Sequence, residues 1–185
     1  MKCRAGGVDS APLSSIVRPH ATSLTAALML TTLTRFVFLM ALALLVGSMF
    51  GIWVGFNPTG LSASAYIEQQ QSAIRSLNTL LPVMGATCIL LAVLVAALAK
   101  RDMRCRILLG VAVVLLFAAA LVTRFENQPI NAVVMTWNIV SPAANWAQLR
   151  DEWWQWHIVR TIASIAALAF ALAAILGSRE PKPRS

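Results

Sequence analysis

The run FVFLMALALLVGSMFGIWVGF, residues 36–56, constrains this chain more than any other feature. Its 21 residues carry no charge. At 1.5 Å of rise per residue, a helix of that length crosses a hydrocarbon layer of ~30 Å. A backbone placed in lipid must satisfy its own N–H and C=O groups, so helix is the form such a run takes. Three more apolar runs follow, at about 77–99, 107–122 and 159–176. They predict an all-α membrane protein: an antiparallel bundle of four transmembrane helices, with an additional amphipathic, Trp-rich helical segment between spans 3 and 4. Composition agrees, because 12% charged residues is about half of what soluble domains carry.

The punctuation between the runs divides the chain further. Residues 1–35 read as a poorly ordered or amphipathic leader, with Met29 and Met40 as alternative starts. The four-span domain covers 36–177, and 178–185 form a basic tail. A cleavable signal is the rival reading of the first run, since Ala63 and Ala65 offer an Ala-x-Ala site. The run exceeds the 7–15 residues of a signal core, which favours an uncleaved span. NPTG (57–60) breaks the first helix, and SASAYIEQQQSAIRSLNTL reads as a polar-faced helix feeding the second, with Pro82 early in it. KRDMRCR is a tight basic turn, and TRFENQPIN ends the third span with Pro129 as the breaker. The connection 123–158 holds five of the six tryptophans: Trp137, Trp146, Trp153, Trp154 and Trp156. NWAQLRDEWWQWHIVR has no Pro or Gly and predicts a helix continuing into the fourth span.

The net charge of +8 does not mark a nucleic-acid protein, because its basic residues sit in tails and short loops. Eleven Lys and Arg fall on the side of the termini and the KRDMRCR turn, against Arg75, Arg124, Arg150 and Arg160 on the other. The positive-inside rule then puts both termini in the cytoplasm of a bacterial inner membrane. The two long connections share the extracytoplasmic face. The expected partners are membrane lipid and a hydrophobic small molecule, and no nucleic acid. Cys3, Cys88 and Cys105 form no C-x-x-C pair, so a disulfide framework, thiol chemistry and a zinc site are not expected. His20 lies in the leader and His157 alone is near a span, too few for paired haem ligands. No phosphate loop or Ser-His-Asp set occurs.

A wheel over 145–164 puts Arg150, Trp153, His157, Arg160, Thr161 and Ser164 on one face, with Trp146 beginning the stripe. Asp151 and Gln155 point elsewhere. A cation within a span is a site candidate, because solvating it in lipid is costly. Glu126 and Asn131 are its natural partners, together with Glu68 and the neighbouring glutamines. Three simpler readings stand beside this one. Trp154 and Trp156 form an aromatic belt, Arg160 pairs with Glu126 only to fix packing, and His157 is structural.

ENQPINAVVMTWN and NWAQLRDEWWQWHIVRTIAS resemble the anthrone oxygenase family, with Pro129, Asn131, Trp156, His157, Arg160 and Thr161 carrying the likeness. GIWVGFNP and YIEQQQSAIRSLNTLLPVM fit more loosely, so the resemblance covers about 36–177. It implies four spans and the oxidation of an anthrone to an anthraquinone without metal or flavin, so no cofactor is expected. An amide is expected at the His157 position as often as histidine. The chemistry implied is loss of a proton to give an electron-rich enolate that reacts with dioxygen. His157 and Arg160 then become the catalytic candidates, the first accepting the proton and the second holding the oxyanion. Asn131, Trp137, Arg150, Trp153 and Glu126 become the substrate-contacting ones. The alternative function is non-catalytic: a membrane protein binding a lipid or a protein partner, its polar stripe serving the packing of the bundle.

Overall fold

The computed structural model describes residues 18–99 and 102–177, and among these every regular element is helical. Expectations for the first 17 residues, the last eight and the Lys100–Arg101 pair lie outside the described residues. Helix α1 is Arg18–Gly55, α2 Ala63–Leu77, α3 Leu80–Leu98 and α4 Met103–Val122. A π turn over Thr123–Asn127 joins α4 to α5, Gln128–Val134, and α6 is Trp146–Leu176. Four segments are long and apolar enough to cross a membrane: Leu28–Gly60, Leu80–Leu98, Met103–Val134 and Trp146–Leu176. The outer faces of these helices stay apolar, with Leu90 71% and Val114 67% exposed. A bundle that is apolar all round is built to face lipid. The protein is an integral membrane helical bundle.

Two boundaries differ from the sequence expectation. The first helix starts at Arg18 and is apolar from Leu28, so much of the expected leader is helical. The third span does not end at Val122. Pro129 removes an N–H and its ring presses on the carbonyl four residues back, which ordinarily breaks a helix. Here the wider π turn just ahead of Pro129 absorbs the misfit, and Gln128 N–H reaches Thr123 O across five residues. The helix then runs on to Val134.

Small residues let the spans approach closely. Along α6 the buried face reads Trp153, His157, Arg160, Thr161 and Ser164, then Ala167, Ala171 and Ala174. One stripe is thus polar near its start and alanine-lined deeper in. Ala167 and Ala171 pack with Leu109, Ala112 and Leu116 of α4 and with Phe38 and Leu42 of α1. Without a hydrophobic drive between helices in lipid, such close van der Waals contact holds a bundle together. Cys88 and Cys105 are buried in this core as small apolar groups.

Short α2 packs against α5 and α3. Ser62 caps it through Ala65 N–H, and Tyr66, Ile67, Gln70 and Ile74 form its buried face. Gln71 Nε2 donates to the carbonyls of Val134 and Trp137, each at 3.0 Å, tying α2 to the end of α5. Asn57 caps the turn Pro58–Gly60, which sets the approach from α1.

Candidate functional site

The polar stretch of α6 faces the π turn of the third span, and Arg160 lies at the junction with only 7% of its surface exposed. Its guanidinium donates to His157 Nδ1 through Nη2 at 3.0 Å and Nε at 3.3 Å, and to Thr123 Oγ1 through Nη1 at 3.3 Å. Its charge also sits 5.9 Å from the centre of the Trp153 ring. Among the described residues no carboxylate pairs with Arg160. Glu126, expected as its partner, is half-buried on the π turn and makes no ion pair with it. The turn carries Thr123, not Glu126, to the guanidinium.

His157 is fully buried between two indoles, 5.2 Å from the Trp153 ring and 5.6 Å from the Trp154 ring, stacked on both. Its Nε2 lies 3.1 Å from the Met49 carbonyl. A carbonyl only accepts, so Nε2 carries the proton and Nδ1 presents its lone pair to Arg160. Both ring nitrogens are therefore engaged, and the imidazole does not border the cavity described below. Neither nitrogen of His157, expected as the proton acceptor, has a free lone pair in this structure. Trp154, expected in an aromatic belt, is 8% exposed. Stacking on His157 draws it inward, while Trp156 stays half-exposed.

A cavity of about 400 Å³ opens beside Arg160, inside the range of small-molecule sites. Ile52, Phe56, Ile74 and Leu77 give it apolar walls, and Trp153 lies along one side. Its polar groups are Arg160, Thr123, Asn131, Asn78, Gln69, Gln70, Ser72 and Ser76. Asn131 Nδ2 donates to Asn78 Oδ1 at 2.8 Å, and Gln70 Nε2 donates to Asn131 Oδ1 at 3.3 Å. That chain of amides joins α2, at Gln70 and at its C-terminal cap Asn78, to α5. Asn127 Nδ2 donates to Trp153 O at 3.0 Å and fixes the turn of α6 that carries the ring.

The predicted site residues thus separate. Asn131, Trp153 and Arg160 border the cavity, and His157 stands behind Arg160. Trp137 packs with Ile130, Val134 and Trp153 outside the cavity lining. Arg150 is 2.8 Å from Asp151 and lies over the Trp146 ring at 4.9 Å, on the outer part of α6. Thr123, Asn78 and the Met49 carbonyl escaped the sequence reading. An asparagine set against the apolar start of a span was the available signal for Asn78, and the backbone carbonyl left none.

Tyr66, on α2, is buried against Trp146 with no partner for its hydroxyl among the described residues. Burial pushes its pKa well above the ordinary tyrosine value, Arg150 nearby opposes that, and Asp151 adds to it. The hydroxyl therefore stays neutral. Among the described residues no group of three or more His, Cys, Asp or Glu could hold a metal ion.

Fold and site together define a four-span membrane protein with an unneutralised arginine at the wall of a pocket lined by apolar and amide side chains. A family model described as anthrone oxygenase matches residues 70–170, more than half of the chain, and the protein belongs to that family. The match runs from α2 into the fourth span, so the first span lies outside it. No curated protein and no solved structure matches the chain.

Proposed function

We propose that this protein is a membrane oxygenase that converts an anthrone-type ketone to the corresponding quinone, with Arg160 as the catalytic oxyanion-binding residue. The observation that carries the reading is the Arg160 guanidinium at the wall of a 400 Å³ cavity without a carboxylate beside it. A cation left in a span costs on the order of 3 kcal/mol, a cost that an anionic ligand offsets. A ketone that loses a ring C–H proton becomes such an anion, with its charge on oxygen. Water entering along the amide- and hydroxyl-lined side of the cavity, formed by Gln70, Ser72, Ser76 and Asn78, accepts that proton.

The enolate carbon then gives electrons to dioxygen, a C–O bond forms, and the peroxide anion takes back a proton to give a hydroperoxide. Loss of water from it leaves the second carbonyl, so one ketone and one O2 yield one quinone and one H2O. Trp153 offers an aromatic face for the rings. His157 is a positioning residue, since it touches Arg160 and not the substrate. Anthrone is the substrate because the family is described by that reaction.

The cavity opens toward the extracytoplasmic side, with both termini in the cytoplasm of a bacterial inner membrane, in keeping with the eleven basic residues at the termini and the α3–α4 turn. The test is turnover by the purified protein in lipid nanodiscs, followed as oxygen uptake and as quinone absorbance. Matched uptake and quinone formation above empty nanodiscs supports the reading, and a rate equal to empty nanodiscs overturns it. The Gln70–Asn131–Asn78 chain also locks the bundle, which favours a second reading as a non-catalytic lipid- or partner-binding protein. In that case anthrone turnover is absent while the fold depends on the same residues.

A further inference from the structure

Arg160 borders two cavities, not one. A second, of about 320 Å³, lies deeper, between the outer parts of α3 and α4 with Met49 of α1 behind it. Leu81, Pro82, Thr123 and Arg160 line both, so the two spaces lie side by side at the guanidinium. Their chemistry differs in degree. The first holds more amides and hydroxyls, whereas the deeper one is walled mainly by Leu45, Met49, Gly85, Ile89, Leu116 and Phe117, with Arg124, Gln128 and Ser164 as its own polar groups. Two helix irregularities face each other across its mouth: Pro82 early in α3 and the π turn that follows α4. Gly85 adds to the gap, since a Cβ built there meets nothing within 4 Å. From Leu81 to Ile89 the space extends roughly 12 Å along α3, at 1.5 Å per residue.

We propose that the deeper cavity holds an aliphatic chain carried by the substrate itself, so that the ligand is an amphiphile with its ring at Arg160 and its chain between α3 and α4. This rests on the reading of the first cavity as the site of the aromatic ketone. The wall they share, Leu81, Pro82, Thr123 and Arg160, supports one molecule occupying both spaces. A polar ligand does not suit the deeper walls, and a flat tricyclic ring alone leaves them unfilled. A substrate drawn from the bilayer supplies such a chain.

The experiment measures binding of two probes to the full-length protein in nanodiscs under nitrogen: anthrone and 2-decylanthrone. Each affinity is referred to the probe concentration in the lipid, which removes simple partitioning. Wild type is expected to prefer the decyl probe at least tenfold. Gly85→Leu, which projects into the deeper cavity, is expected to cut that preference at least tenfold, and Gly85→Ala to cut it less. Equal affinities in wild type, or a preference unmoved by Gly85→Leu, overturn the chain site while leaving the first cavity's role intact. No binding of either probe to wild type overturns the functional reading and this inference with it. A folded Gly85→Ala variant keeps the comparison readable if Gly85→Leu does not assemble.

Discussion

Arg160 donates to Nδ1 of His157 at 3.0 Å, and the same imidazole gives its Nε2 proton to the Met49 carbonyl at 3.1 Å. The first span thereby orients a histidine of the fourth, and that histidine orients the arginine. A neutral acceptor can hold a guanidinium in place without cancelling its charge, which a carboxylate cannot do. The charge is left for a ligand.

The histidine's role separates by substitution. His157→Ala leaves a void between Trp153 and Trp154 and is expected to cost about 2–4 kcal/mol of stability. It also frees Arg160, and turnover is expected to fall by about 100-fold. His157→Asn restores an acceptor and is expected to keep turnover within about tenfold of wild type. Steady-state rates and thermal unfolding in nanodiscs check both. Equal inactivity of folded Asn and Ala variants means the imidazole itself performs chemistry.

Tyr66 makes a second prediction, and as the chain's one tyrosine it can be read alone by absorbance. Its hydroxyl is expected to titrate well above the ordinary tyrosine value, because burial disfavours tyrosinate. The linkage follows in sign. With the folded pKa raised, the stability from the neutral phenol is fully present below pH 10 and is lost as pH rises beyond it. Tyr66→Phe removes a buried hydroxyl without a partner and is expected to raise stability by about 1 kcal/mol. An ordinary titration midpoint in the folded protein, or a destabilised Phe variant, contradicts the burial described.

Asn131 joins Gln70 to Asn78, and through them α2 to the bundle. Asn131→Ala leaves both partners short of a bond, at about 1–3 kcal/mol. Faster amide hydrogen exchange in α2 and a raised KM are expected, with kcat changed less. Unchanged exchange in α2 means that this amide does not hold the helix.

How much of this was legible in the sequence depends on which physics a residue obeys. The spans were plain, since long uncharged runs have few alternatives in lipid. The face of α6 was also legible, because Trp153, His157, Arg160, Thr161 and Ser164 recur at helical spacing and all are buried. Trp154 was misread: a tryptophan at a span end satisfies the belt rule, and only the neighbouring imidazole stack draws it in. The extension of the third span past Val122 was hidden because Pro129 carries a breaker's signature whether or not a π turn absorbs it. That turn also decides that Thr123, and not Glu126, reaches Arg160. A one-residue widening leaves no mark in hydrophobic periodicity. The cavity is likewise a property of packing between helices, beyond what one helix's pattern records.

The central claim is that Arg160 stabilises the enolate of the bound ketone. Its most direct test is the ionisation of anthrone bound to the protein under nitrogen, followed by enolate absorbance as pH is varied. Without dioxygen the ketone ionises and goes no further. Wild type is expected to lower the apparent pKa of bound anthrone by at least ~1 unit, or ~1.4 kcal/mol, relative to folded Arg160→Gln. The same midpoint in both proteins would contradict it.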